Sequence, residues 1–184
     1  MNQDSYPNQL FVSLSQRDHY QGMLNAPVIL VEYGNYQCPQ CREVRQLVQA
    51  IQQHFNSGFS EENWVCGVFR HFVQNSIYPQ AQKAAQAAAG AQGQFWQMHN
   101  MLFIHSQELG DGYLVEYADI LGLDVSQFLQ DLSNQVHVDR INQDMKRGLN
   151  SGVTSTPSLF ISGIRYRDRW NMEQLMAAIT AANH

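Results

Sequence analysis

The first sustained apolar run is Val28–Tyr33 (VILVEY), set behind Pro27 and interrupted only by Glu32. A short, β-branched run of this kind predicts a strand covered on both faces. Next, Val44, Leu47, Val48, Ile51 and Phe55 recur at three- and four-residue spacing. That spacing predicts an amphipathic helix. Pro39 suits the first turn of that helix, where a missing N–H is no loss, and this puts Cys38 at or near the N-cap. The polar stretch Asn56–Asn63, with Gly58, reads as a loop, and Trp64–Phe72 (WVCGVFRHF) as a second strand. Strand, helix, strand is a βαβ unit, which favours parallel pairing and a right-handed crossover.

From about residue 78 to 150 the pattern is wholly helical. It contains an alanine-rich stretch (Ala81–Gln92), an aromatic stretch (Phe95, Trp96, Met98, Leu102) and two stripes, Val125/Phe128/Leu129/Leu132 and Val138/Ile141/Met145/Leu149. Ala is the best helix former, so packed helices are expected rather than low complexity. The chain then returns to strand at SLFIS, with a short strand candidate in IRYRDRW, and closes on a helix over Asn171–Ala182 with Leu175, Met176 and Ile179 inward. The order β-α-β, helical insert, β-β-α predicts one α/β domain over 1–184, with helices flanking a central mixed sheet.

Composition narrows the functional classes. The 184 residues are 44% hydrophobic, enough for one core without staples. Eleven Lys and Arg against sixteen Asp and Glu give a net charge of −5. An acidic chain argues against nucleic acid or an anionic membrane surface as partner. No apolar window approaches the roughly 18 residues needed to span a bilayer. The opening MNQDSYPNQLF carries Asp4 and no basic run, so the expected compartment is the cytoplasm. Three cysteines do not make a closed disulfide framework.

Cys38-Pro39-Gln40-Cys41 is the motif with chemistry in it. A CxxC at a helix N-terminus, directly after a strand in a βαβ unit, reads as a redox pair. The thiolate is the attacking species, and unpaired helix N–H groups with the macrodipole favour negative charge there. Cys38 is expected to be the exposed nucleophile and Cys41, one turn in, the resolving thiol. A structural zinc site needs four ligands, normally two pairs, and there is no second CxxC. Cys66, inside VCGVF, reads as a small buried hydrophobe. His19, His54, His99, His105, His137 and His184 lack ligand spacing. Pro157, at the head of a strand, has positional meaning, and an ordinary trans turn remains the plain alternative.

The runs VEYGNYQCPQC, FRHF, AQAAAGAQGQFWQMHNMLF and SGVTSTPSLFISG together resemble the DsbA-like branch of the thioredoxin superfamily, from about Gly22 to the C-terminus. The resemblance implies a thioredoxin fold with a helical insertion and thiol–disulfide exchange without a metal or organic cofactor. It also implies a cis Pro157 beside Cys38, with Thr156 offering its backbone to a substrate peptide, and a proton-relay role for Glu32. The bland alternative for Glu32 is an edge residue facing solvent. Pro39-Gln40 departs from the Pro-His of strongly oxidising DsbA. Gln40 is neutral, so the Cys38 pKa is expected to be lowered less and the potential to be intermediate. The expected partners are protein or peptide thiols and disulfides and a redox recycling partner. The alternative is a non-catalytic binding module or redox sensor, since similar domains occur attached to antiporters. Three features carry paired readings. Phe95, Trp96, Met98 and Phe103 suit either core or substrate groove. His71 either tunes Cys38 or sits at a strand end. Arg165, Arg167 and Arg169 form either a solvated strand face or an anion site.

Overall fold

The structure, a computed structural model, describes residues 9–10, 14–56 and 64–183. A short strand β1 (His19–Gln21) precedes β2 (Val28–Gly34), α1 (Pro39–Asn56) and β3 (Val65–His71). Five helices follow: α2 (Ala81–Ala89), α3 (Phe95–Ile104), α4 (Asp111–Ile120), α5 (Val125–Ser133) and α6 (Val138–Asn150). The chain closes with β4 (Ser158–Ile161), β5 (Ile164–Arg165) and α7 (Met172–Ala182). The sheet order is β1-β3-β2-β4-β5, parallel between β2 and β3 and antiparallel elsewhere. The chain is therefore α/β with a mixed central sheet.

β2 lies between β3 and β4, which explains its nearly unbroken apolar run. Its side chains alternate between two cores. Val28 and Leu30 pack with Ile51 of α1 and with Leu175 and Ile179 of α7. Val31 and Tyr33 pack on the other face with Phe72, Val153, Phe160 and, from α6, Met145. Glu32 has the parity of Val28 and Leu30, so the alternation turns it toward α1. A third core joins the insertion to the start of α1: Phe95, Met98, Leu102 and Phe103 of α3 pack with Tyr36, Cys38 and Cys41. A Cβ on Gly148 would fall 2.8 Å from Phe72 Cδ2, so glycine is what lets α6 close on β3.

Several sequence expectations need correction. β1 carried no recognisable pattern, because three half-buried residues are too short to show alternation. IRYRDRW yields only the two-residue β5, so Arg167 and Arg169 lie outside any strand face. Leu129 and Leu149 of the two helical stripes are exposed. The predicted Asn56–Asn63 loop lies outside the described residues except for Asn56, which ends α1. Asp4 and His184 are also outside them.

One ion pair ties β1 to the sheet centre. Arg70 Nε and Nη2 reach Asp18 Oδ1 and Oδ2 at 2.8 and 3.2 Å, with both side chains fully buried. Arg70 Nη1 also donates to Tyr33 Oη at 3.1 Å. Removing one member of a buried pair leaves an uncompensated charge. Asp18→Ala is therefore expected to lower folding stability by about 3–5 kcal/mol, read as a fall in the urea midpoint with the slope unchanged.

Candidate functional site

The turn before α1 is built to end at Cys38. Asn35 Oδ1 accepts the Gln37 N–H at 2.9 Å, and Asn35 O accepts the Cys38 N–H at 3.1 Å. Cys38 O then accepts the Arg42 N–H at 3.4 Å, which makes Cys38 the N-cap of α1. Pro39 and Gln40 are exposed on the rim, whereas Cys41 is buried one turn in. The Cys38 pKa is lowered to about 5. The Cys41 thiol, hydrogen-bonded to its sulfur, does most of this against the opposing effect of burial. Thr156, the Cys41 N–H and Tyr78 add to it. Burial and the adjacent Cys38 push Cys41 well above its usual value.

The expectation of an exposed Cys38 is wrong: the residue is 1% exposed. Its thiol donates to Thr156 O and to Gln40 Oε1, both at 3.5 Å, and neighbouring chain segments cover what remains. Sequence periodicity places a residue at a helix end but says nothing about what later chain folds over it.

The Thr156–Pro157 peptide bond is cis, and both residues are half-buried beside Cys38. The loop before them is held by Arg165, whose Nη1 donates to Gly152 O at 2.6 Å and whose Nη2 donates to Ser158 Oγ at 3.1 Å. The reading of Arg165 as part of a solvated face is therefore corrected. It clamps the loop that carries Thr156, a role that alternate spacing does not reveal.

Glu32 is 4% exposed and faces α1 under the CxxC turn, so the solvent-edge alternative fails. Burial raises its pKa to about 7, opposed by the nearby Arg45 and assisted by Cys38. Arg45, also buried, donates from Nη2 to Asn100 Oδ1 at 2.9 Å and lies over the Trp96 ring. Glu32 Oε1, Arg45 Nε and His99 Nε2 make no hydrogen bond and line one cavity of about 10 Å³. That is room for about one water, with three polar partners around it. His99 Nδ1 pairs with Tyr36 Oη at 2.9 Å. Sequence reasoning missed Arg45 and His99. The signal for Arg45 was an arginine between Val44 and Val48, on the apolar face of α1.

The remaining features fall on the bland side. Phe95, Met98 and Phe103 are core. Trp96 is partly buried and donates from Nε1 to Tyr20 O at 2.9 Å. His71 is buried among His19, Tyr36, Phe69 and Phe95, with Asp144 Oδ2 at 3.5 Å from Nδ1. Cys66 is buried in β3. Among the described residues, no three His, Cys, Asp or Glu are grouped to hold a metal ion. No described helix is long and apolar enough to cross a membrane.

Two pH dependences follow. Cys38 ionises at about 5, so its alkylation rate is expected to reach half its plateau near pH 5, rather than near the ordinary thiol value of about 8.5. Glu32 has a folded pKa above its unfolded one, so folding takes up a proton between about pH 4.5 and 7. Its favourable contribution is complete below 4.5 and lost as pH rises through 7. Glu32→Gln is therefore expected to gain stability relative to the parent between those values, levelling off above pH 7 at about 3 kcal/mol. Denaturation midpoints at pH 4.5 and 8 test this, and a constant difference would refute it.

Comparison with known proteins supports the same architecture. A thioredoxin family model matches residues 14–181. BdbD from Bacillus subtilis superposes with a TM-score of 0.80 at 18% identity, covering 98% of each chain. A thioredoxin-like oxidoreductase from Silicibacter pomeroyi gives 0.77 at 24%, covering 99% of this chain and 98% of its own. Wolbachia pipientis alpha-DsbA1 gives 0.78 at 19%, covering 95% and 94%. Among curated proteins, the Na(+)/H(+) antiporter NhaA 1 of Salinispora arenicola is 38% identical over 168 residues, which is 90% of this chain and 25% of the antiporter. The Na(+)/H(+) antiporter NhaA of Herminiimonas arsenicoxydans is 30% identical over 165 residues, with the same coverages. The chain thus spans about a quarter of the length of these curated relatives. With the family model covering nearly the whole chain and the sheet, insertion and CxxC-bearing helix in place, the chain belongs to the thioredoxin family.

Proposed function

We propose that the protein is a thiol–disulfide oxidoreductase acting through the CPQC pair. One observation carries this: Cys38 caps α1 with its sulfur 3.5 Å from the carbonyl before the cis Pro157 and with Cys41 buried one turn further on, an arrangement that lowers the Cys38 pKa and raises that of Cys41. As a reductant, the Cys38 thiolate attacks one sulfur of a substrate disulfide. A mixed disulfide forms, and the other substrate sulfur leaves as thiolate and takes up a proton. Cys41 gives its proton to Glu32, and its thiolate attacks the Cys38 sulfur. The Cys38–Cys41 disulfide forms and the second substrate sulfur leaves. The two electrons of the dithiol pass to the substrate. Run backwards, the same steps oxidise a substrate dithiol, and the potential of the recycling partner sets the direction. In a reducing cytoplasm, the setting proposed here, the direction is reduction. Thr156 and Pro157, with Pro39 and Gln40 on the rim, are the proposed peptide contacts, extended substrate pairing briefly with the Thr156 backbone. No cofactor enters the chemistry.

A second reading rests on the likeness to part of Na(+)/H(+) antiporters. There the fold is a docking or redox-sensing module for a membrane protein, and exchange with free peptide is not its task. Insulin reduction separates the two. The parent protein is expected to turn over insulin with a dithiol donor, Cys38→Ser to abolish turnover, and Cys41→Ser to accumulate the mixed disulfide. Equal rates for the parent and Cys38→Ser would overturn the proposed activity.

A further inference from the structure

Cys38 is covered, and the segment between β3 and α2 helps cover it. Residues 73–80 form a strap held at four points. The Val73 N–H donates to Met145 Sδ (2.8 Å) and Asn75 Nδ2 to Gln82 Oε1 (2.6 Å). Gln74 Nε2 donates to Thr154 O (3.3 Å) and the Gln80 N–H to Gln37 Oε1 (2.9 Å). The last two anchors bracket the nucleophile: Gln37 immediately precedes Cys38, and Thr154 belongs to the loop of the cis-proline. Between them, the Ile77 and Tyr78 N–H groups both close on Gln74 O, at 2.9 and 2.8 Å. That turn leaves Ile77 61% exposed and packs Tyr78 against the cluster that holds Cys38 and Cys41. The Tyr78 side chain thereby lies beside the Cys38 sulfur, and the interaction between the two favours the thiolate.

The hydrogen-bond inventory gives this contact a role. As a thiol, Cys38 donates to Thr156 O and Gln40 Oε1. Both are acceptors, and a thiolate needs donors. The side chains and N–H that favour the thiolate are those of Cys41, Thr156 and Tyr78, of which the Thr156 hydroxyl makes no hydrogen bond while Cys38 is a thiol. The Cys41 thiol loses its proton during resolution. Gln40 brings no charge to replace it. Burial and the neighbouring Cys38 raise the Tyr78 pKa above its usual value, so the phenol keeps its proton at neutral pH.

We propose that Tyr78 is a further catalytic residue of this site: its ring closes the strap over Cys38, and its hydroxyl donates to the Cys38 thiolate. The inference rests on the oxidoreductase reading above and deepens it. Thiolate and closed strap stabilise each other. In the disulfide the negative charge is gone and the hydrogen bond weakens.

Two substitutions separate the donor from the cover. Tyr78→Phe keeps the ring and removes the hydroxyl. It is expected to raise the Cys38 pKa by about one unit, read by thiolate absorbance across pH. At pH 7 that reduces the stabilisation of the dithiol form about tenfold, which moves the couple about 30 mV toward reducing values. Tyr78→Ala also removes the cover. At pH 9, where Cys38 is fully ionised in every variant, a bulky maleimide is expected to react several-fold faster with Tyr78→Ala than with the parent or Tyr78→Phe. An unchanged pKa in Tyr78→Phe, or an unchanged maleimide rate in Tyr78→Ala, overturns the inference. A parent Cys38 pKa near 8.5 would instead sink the redox reading of the pair, so the two failures are distinguishable.

Discussion

A single negative charge at the start of α1 organises this molecule. Cys38 carries it in a place nearly closed to water, where burial alone would oppose ionisation. The opposing help comes from position. The sulfur caps a helix whose first N–H groups lack intrahelical partners, and Cys41 presents both its N–H and its thiol to it. The Asn35 turn fixes where the helix begins, and a shift of one residue would point those donors elsewhere. The surrounding sheet and insertion hold that geometry.

The sheet was largely legible in the sequence because burial on both faces leaves an apolar run, as in Val28–Tyr33, interrupted only by Glu32, and in the part of β3 before Arg70 and His71. The insertion was legible because the alanine-rich segment, the aromatic segment and the two striped segments all favour helix, although the helix over Asp111–Ile120 carries no such stripe. The CxxC pair and Pro157 were legible as types at positions. What escaped was contact between segments distant in sequence. Arg165 clamping Gly152 and Ser158, Arg45 beside Glu32, and Tyr78 over Cys38 depend on how loops cross. Periodicity has no access to that. The exposed nucleophile expected from the helix N-terminus failed for the same reason: part of its cover comes from Tyr78 and Thr156, far along the chain.

The insertion does more than enlarge the fold. Its helix α3 supplies Met98, Phe103 and His99 to the core on which the CxxC turn rests. Asn100 of the same helix receives Arg45, and so holds a cation that pulls down the Glu32 pKa. The entry to α2 supplies Tyr78. An insertion that is contiguous in sequence thus reaches the CxxC pair from two sides, while β1 and the Asp18–Arg70 pair secure one edge of the sheet.

In the proposed exchange reaction, the coupling among the three titrating groups also orders the steps in time. While Cys38 is a thiolate, its charge is among the causes that raise both Cys41 and Glu32. The resolving thiol is therefore held protonated and the carboxylate is disfavoured, so the pair does not close before substrate arrives. Once Cys38 is tied into a mixed disulfide, that charge is gone. The Cys41 and Glu32 pKa values then fall together, the first becoming easier to ionise and the second more fully a carboxylate. In that proposed sequence, consumption of the first nucleophile readies the second through the loss of one charge at Cys38.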